Sequence, residues 1–399
     1  MTAGDHQSTN SALRSDFFES RLISDTAINF SSMREGLSRL VGDALAKSTD
    51  ATERAEYELV LEYLSRSGEH DSEGRDPKVE KRSFSRSELK VACTYEDRLI
   101  PKYLWYRVRF DRYPRDHIVP DFPVVLAIEP TSVCNLRCIM CSQSDPALSE
   151  DESIKGHMDL ALFKRIIDEG VRHGLAAIVL ASRGEPLLNR DTVEMVRYAK
   201  QRGILDVKLN TNATPLTAEV GRGLLEAGVD TLVFSVDSAD KAEYERIRRR
   251  AKFEKVVRNI ETFNEIRAKD FPNSKTRTRV SMVVMDSSQD VEAASKFWSS
   301  RVDEFGVKGL HEHVGIYGYS DADAGLSPCS LLWERVYVWW DGTVNPCSED
   351  YLSSLSIGKL DSDTTIRSLW HSDKMRDYRE THLRKNRESL DVCRRCHGY

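Results

Sequence analysis

Between about residue 123 and residue 315 the chain alternates six short apolar runs with longer stretches of helical periodicity. Residues 124–128, 177–181, 207–210, 231–236, 279–284 and 310–314 read as short buried strands. Residues 160–173, 192–202, 218–227, 253–269 and 291–297 read as the helices between them. Strands joined through helices must lie parallel with right-handed crossovers, so the pattern predicts an α/β fold, a partial (β/α)6 barrel. In such folds chemistry gathers at the carboxyl ends of the strands.

The sequence places an unusual run at the first of those ends. Directly after the apolar stretch at 122–128 comes Cys134-Asn-Leu-Arg-Cys138-Ile-Met-Cys141. Three thiolates just past a strand can hold three irons of a four-iron cluster and leave the fourth without a protein ligand. Half of a zinc site is the alternative, although zinc usually takes cysteines in pairs two to four residues apart. Four more cysteines lie at the other end: Cys329, Cys347, Cys393 and Cys396. Alternation around Asp341-Gly342 predicts a hairpin that folds Cys347 back towards Cys329, and 365–387 reads as helical. Four thiolates in this order suit a zinc ribbon almost as well as a cubane. Cys93 is left over, and reads as a buried inert thiol or as a hydrogen-atom donor.

Further motifs follow the strands in order. Ser182-Arg-Gly-Glu-Pro186 follows the second, Asn210-Thr-Asn212 the third and Ser235-Val-Asp237-Ser the fourth. Then come Tyr244-Glu-Arg-Ile-Arg248 and Phe253-x-x-Val256-x-x-Asn259-Ile260. With the C-x3-C-x2-C spacing, this set resembles the radical S-adenosylmethionine (radical SAM) enzymes. The resemblance implies that Cys134, Cys138 and Cys141 hold a [4Fe–4S] cluster whose open iron is chelated by SAM. One-electron reduction then releases a 5′-deoxyadenosyl radical. It also implies that Gly184, Glu185 and Pro186 meet the SAM ammonium. Asn210, Asn212 and Asp237 offer groups to a ribose or carboxylate, and Ser235 and Arg248 are candidates for the SAM carboxylate. Two positions depart from the family pattern: Met140 where an aromatic residue is common, and Arg183 where the first glycine of Gly-Gly-Glu-Pro stands. Taken alone, Gly-Glu-Pro is an ordinary turn, and Arg248 could be a solvated charge among Arg246, Arg249 and Arg250.

The C-terminal cysteines resemble the twitch form of the SPASM domain, which implies one auxiliary [4Fe–4S] cluster with four cysteine ligands. A saturated cluster of that kind suits electron transfer, and the arrangement is similar to aminocyclitol dehydrogenases, with peptide-modifying maturases as relatives. The expected function is therefore net two-electron oxidation of a small polyol or sugar-like metabolite, fed by a flavodoxin- or ferredoxin-type electron donor. Cross-linking or epimerisation of a ribosomally made peptide is the alternative, and a non-catalytic iron–sulfur or zinc protein the rival of another class. His313 and Tyr317, in the sixth strand region, are the candidates for a base at the substrate, and a lone histidine there could equally be structural.

A formal charge of -6 and a pI near 6.0 exert no global pull on nucleic acid or on an anionic membrane. No apolar run approaches the roughly twenty residues that span a bilayer, and no signal segment is evident, so the cytoplasm is the expected compartment. Residues 1–30 read as a mobile tail and 31–121 as a helical extension with a polar linker at 68–83. Residues 122–315 read as the barrel and 316–399 as the cluster domain. Ser32-x-x-Glu35 and Asp50-x-x-Glu53 have the form of capping boxes, and the aromatic stretch at 99–121 is expected to cover an end or side of the barrel.

Overall fold

The structure, a computed structural model, describes residues 19–22, 30–67, 83–309, 328–394 and 396. Its strands are β1 (Glu19–Leu22), β2 (Val125–Ile128), β3 (Arg137–Cys138), β4 (Ala177–Leu180), β5 (Asp206–Thr211) and β6 (Thr231–Ser235). The series continues with β7 (Arg248–Arg249), β8 (Arg277–Val284), β9 (Glu304–Gly309), β10 (Arg335–Val338), β11 (Thr343–Asn345) and β12 (Gly358–Lys359). Ten of them form one sheet in the order β1-β9-β8-β6-β5-β4-β2-β10-β11-β12. From β9 to β10 every neighbouring pair is parallel.

The helices expected between the strands are present as Leu160–Arg172, Thr192–Gln201, Ala218–Ala227, Phe253–Asp270 and Val291–Ser299. Each starts at a residue in extended or turn conformation. Asp159, Thr217 and Asp290 accept a backbone N–H with their side chains, satisfying donors the first turn leaves free. Gly228, at φ +81°, ends one helix in the left-handed conformation that a side chain would strain. The buried faces of these helices and of the strands, among them Phe163, Ile178, Leu209, Phe234, Phe263 and Trp298, form one continuous core. Each such side chain contributes about 1.5–3 kcal/mol when removed from water.

Two strand expectations need correction. The sixth strand is β9, not 310–314, a stretch that lies outside the described residues. β9 pairs with β8 from Arg279↔Glu304 to Val284↔Gly309, burying Phe305. The glycine inside it has a reason: a Cβ at Gly306 would lie 2.2 Å from Arg279 Nη2, so the glycine makes room for that guanidinium. The other correction concerns the hairpin. β10 and β11 pair antiparallel, with Gly342 at φ +87° in the turn, as expected. But β10 also joins β2 in parallel, Arg335↔Val125 to Val338↔Ile128, so the hairpin extends the barrel sheet.

At the amino end, helices Phe30–Lys47 and Ala51–Arg66 pack together. Asp50 caps the second, accepting Glu53 N–H at 2.8 Å. The first begins at Phe30, so Ser32 lies inside it rather than at its cap. The aromatic stretch forms helix Ile100–Arg115, whose Tyr103, Tyr106 and Val108 pack with Val125, Ala176, Ala177 and Leu205. Those four residues sit at the starts of strands, so the helical layer closes the amino-terminal end of the barrel. Cys93 belongs to this layer and is exposed just after helix Arg86–Ala92, which corrects the expectation of a buried thiol. The expected tail at 1–30 and most of the 68–83 linker lie outside the described residues. The 365–387 stretch is two helices, Ile366–Trp370 and Asp373–Leu383, separated where Ser372 caps the second by accepting Met375 N–H. No described helix is long and apolar enough to cross a membrane.

Candidate iron–sulfur and SAM site

The cysteine loop is held from three sides. Leu136, buried between the first two cysteines, anchors it in the core. β3 pairs with β7, so that Cys138 stands opposite Arg248, and Ile139 N–H reaches Ile247 O at 3.0 Å. Each thiol already faces a donor: Leu136 N–H on Cys134 at 3.5 Å, Gln143 N–H on Cys141 at 3.5 Å, and Arg248 Nη1 on Cys138 at 3.8 Å. All three cysteines line one cavity of about 230 Å³.

Burial pushes the Cys134 thiol up to about 12 and Cys138 to about 11, the latter opposed by the Arg248 charge. Thiols held that high ionise only against strongly cationic metal, and then the waiting N–H donors stabilise the thiolates. Three thiols at the mouth of one cavity, each facing a donor, fit the three-cysteine cluster.

The remaining wall comes from the next strand ends. Gly184, Glu185, Asn210, Asn212, Ser235 and Arg248 line the same cavity as the cysteines. Gly184 lies flat on the cysteine loop, where a Cβ would come within 2.2 Å of Thr131 O and 2.6 Å of Val133 O. Glu185 fastens three segments: its N–H donates to Val133 O at 2.9 Å. Its carboxylate accepts Thr211 Oγ1 at 2.6 Å, Asn212 N–H at 2.7 Å and Leu187 N–H at 3.1 Å. Burial pushes Glu185 up to about 7 against those bonds and the Arg248 charge. One of its four lone-pair positions remains for a ligand cation.

Two expected residues stand behind the wall rather than in it. Pro186 is buried at the start of a short 3-10 turn. Asp237 is fully buried, accepts Val283 N–H at 2.9 Å and pairs with Arg248 Nε at 2.7 Å. The solvated-charge reading of Arg248 does not hold, because Arg246, Arg249 and Arg250 are exposed and Arg248 alone is buried. His313 and Tyr317 lie outside the described residues.

Arg183, the departure from the motif, sits at an ordinary negative φ, while the positive value of +152° falls on Ser182. Its guanidinium grips Glu129 with Nε at 2.7 Å and Nη2 at 2.6 Å, donates Nη1 to Tyr351 O at 3.0 Å, and lies 4.5 Å over the Trp339 ring. Glu129 also accepts Trp340 N–H at 3.3 Å, and Tyr351 Oη donates to Asp145. These contacts clamp the cysteine loop and the Gly-Glu-Pro turn onto the segment that carries Cys347. Sequence reasoning missed this clamp, whose members are far apart in the chain.

The second cysteine group is also assembled. Cys329, Cys347, Cys393 and Cys396 line one pocket together with Tyr378, His382 and Arg387. Burial pushes Cys329 and Cys393 up to about 12 and holds His382 down to about 4. The neutral His382 ring accepts Cys329 N–H at 3.2 Å, and Arg387 Nη2 donates to Cys396 O at 2.6 Å. Four thiols in one pocket suit a cluster with every iron ligated. The i, i+4 spacing of Tyr378 and His382 was the signal that could have placed them together.

Comparison with known proteins agrees with this geometry. The radical SAM superfamily model matches residues 128–293, and SPASM, an iron-sulfur cluster-binding domain, matches 329–397. The chain is 40% identical over 119 residues to the tungsten-containing aldehyde ferredoxin oxidoreductase cofactor-modifying protein of Pyrococcus furiosus, covering 30% of this chain and 32% of that one. It is 31% identical over 226 residues to the AdoMet-dependent heme synthase of Methanosarcina barkeri, covering 55% and 58%. The match thus spans less than two thirds of either relative. In fold it is similar to Streptococcus suis SuiB bound to precursor peptide SuiA, with a TM-score of 0.52, 15% identity, and 69% and 71% of the two chains covered. The chain thus carries a radical SAM domain over residues 128–293, of the kind that binds a [4Fe–4S] cluster and SAM, followed by an iron–sulfur SPASM domain over 329–397.

Proposed function

We propose that the chain is a radical SAM oxidoreductase that removes two electrons from a small hydroxylated, sugar-like metabolite. The observation that carries this reading is the clamp: Arg183 and Glu129 fasten the three-cysteine cavity directly to the four-cysteine segment. The bound cluster and SAM supply a 5′-deoxyadenosyl radical, and a fully ligated auxiliary cluster supplies an electron acceptor.

The chain's own residues bind and orient. Cys134, Cys138 and Cys141 hold the open-iron cluster, and Arg248, backed by Asp237, keeps a fixed positive charge beside Cys138. Glu185 offers its remaining lone pair to the SAM ammonium. Asn210, Asn212 and Ser235 present amide and hydroxyl groups to ribose and carboxylate. Cys329, Cys347, Cys393 and Cys396 hold the acceptor. His313 or Tyr317 takes the hydroxyl proton of the substrate radical, easing its oxidation. A flavodoxin or ferredoxin delivers the priming electron.

Incubation with a polyol deuterated at a carbinol carbon tests the proposal. Deuterium in 5′-deoxyadenosine with one ketone formed per 5′-deoxyadenosine supports it. Transfer from a labelled peptide, with no ketone from any polyol, replaces it by peptide modification.

A further inference from the structure

The barrel lumen below the cavity is charged, and its charges do not balance. Asn210, Val283 and Lys308 line the cavity, so alternate residues of their strands face inward with them. On β5 these are Asp206 and Lys208; on β8, Arg277 and Arg279; on β9, Glu304 and Lys308. Four cations thus share a lumen with two carboxylates. Arg277 and Arg279 approach Glu304 at 3.4 and 3.9 Å. Lys208 and Lys308 make no hydrogen bond or ion pair with any described residue. Burial, and then repulsion from Arg279, hold Lys208 down to about 8.

The other charges on the cavity wall are compensated. Arg183 is paired with Glu129, Arg248 with Asp237, and Glu185 accepts three donors. Lys308 is the exception. It stands on β9, at the far side of the sheet from β2 and β4, whose ends carry the cysteine loop and the Gly-Glu-Pro turn. Its ammonium, without a partner among the described residues, looks into the same cavity as the cysteines from across the sheet.

We propose that Lys308 is an anion subsite that selects a substrate carrying a carboxylate or a phosphate. This rests on the radical SAM oxidoreductase reading and narrows its substrate class to anionic metabolites. A half-buried ammonium gains more from an anion than an exposed one does, because water screens the pair less.

The test uses the full chain, anaerobically loaded with clusters and SAM, titrated calorimetrically with inorganic phosphate and, separately, with succinate. Saturable binding of either probe is expected, and the tighter one identifies the anion. Lys308→Gln should weaken it about ten-fold or more, and Lys308→Arg should retain it. SAM affinity should stay within about two-fold throughout. Binding of neither probe overturns the subsite, as does a Lys308→Gln variant that binds both like the parent. A variant that loses SAM affinity instead reassigns Lys308 to the cosubstrate and also overturns it. Reductant-dependent 5′-deoxyadenosine, measured in the same samples, separates the two claims: its absence contradicts the radical reading, and its presence with unchanged anion binding contradicts only the subsite.

Discussion

Arg248 illustrates how one residue serves both the cysteine loop and the fold. Its guanidinium is enclosed with the Asp237 carboxylate, while its backbone pairs with that of Cys138. Arg248→Gln leaves that carboxylate buried without its counter-ion, so unfolding stability should drop by about 3–5 kcal/mol. Arg246→Gln, on an exposed side chain, should stay within about 0.5 kcal/mol in the same denaturant titration. Glu185 sets a pH dependence. Its folded value of about 7 lies above the ordinary 4.5, so the folded chain binds the extra proton and is favoured at low pH. That contribution is complete below pH 4.5 and lost as pH rises through about 7. Thermal unfolding of the cluster-free chain should therefore show Glu185→Gln losing less stability than the parent between pH 5 and pH 8. Equal losses would contradict the assignment.

At the scale of elements, the turns after β2 and β4 behave as one unit because Gly184 brings them into backbone contact. Gly184→Ala forces the cysteine loop away from the barrel mouth. Reconstituted protein should then hold about four irons rather than about eight, with the C-terminal cluster retained. Iron analysis alongside the electronic spectrum checks this. The barrel elements were legible in the sequence, since Ala218–Ala227 and Thr231–Ser235 carry undiluted helical and strand patterns. β9 was not, because its inward face is Glu304, Gly306 and Lys308 and only Phe305 marks the core. The grouping of seven cysteines into a set of three and a set of four was legible from spacing, and each set lines one cavity. The roles of His382, Arg387 and Glu129 were not, since burial and tertiary pairing create them.

Across the whole molecule, β10 and the Arg183–Glu129 clamp tie both cysteine sites to one sheet. Glu129→Gln leaves a buried guanidinium without its charge partner and should cost about 3–5 kcal/mol. The loss should appear as one lowered transition, because both domains share the clamp; two separated transitions would contradict a shared core. The amino-terminal helices close the opposite end of the barrel, which leaves the strand carboxyl ends for chemistry. The central claim is that the Cys134, Cys138 and Cys141 cluster splits SAM. Its most direct test is 5′-deoxyadenosine formation by the anaerobically reconstituted chain under dithionite. The parent should form it, and a variant with alanine at those three positions should form none while keeping about four irons. No 5′-deoxyadenosine from the parent, or equal amounts from both, would contradict the account.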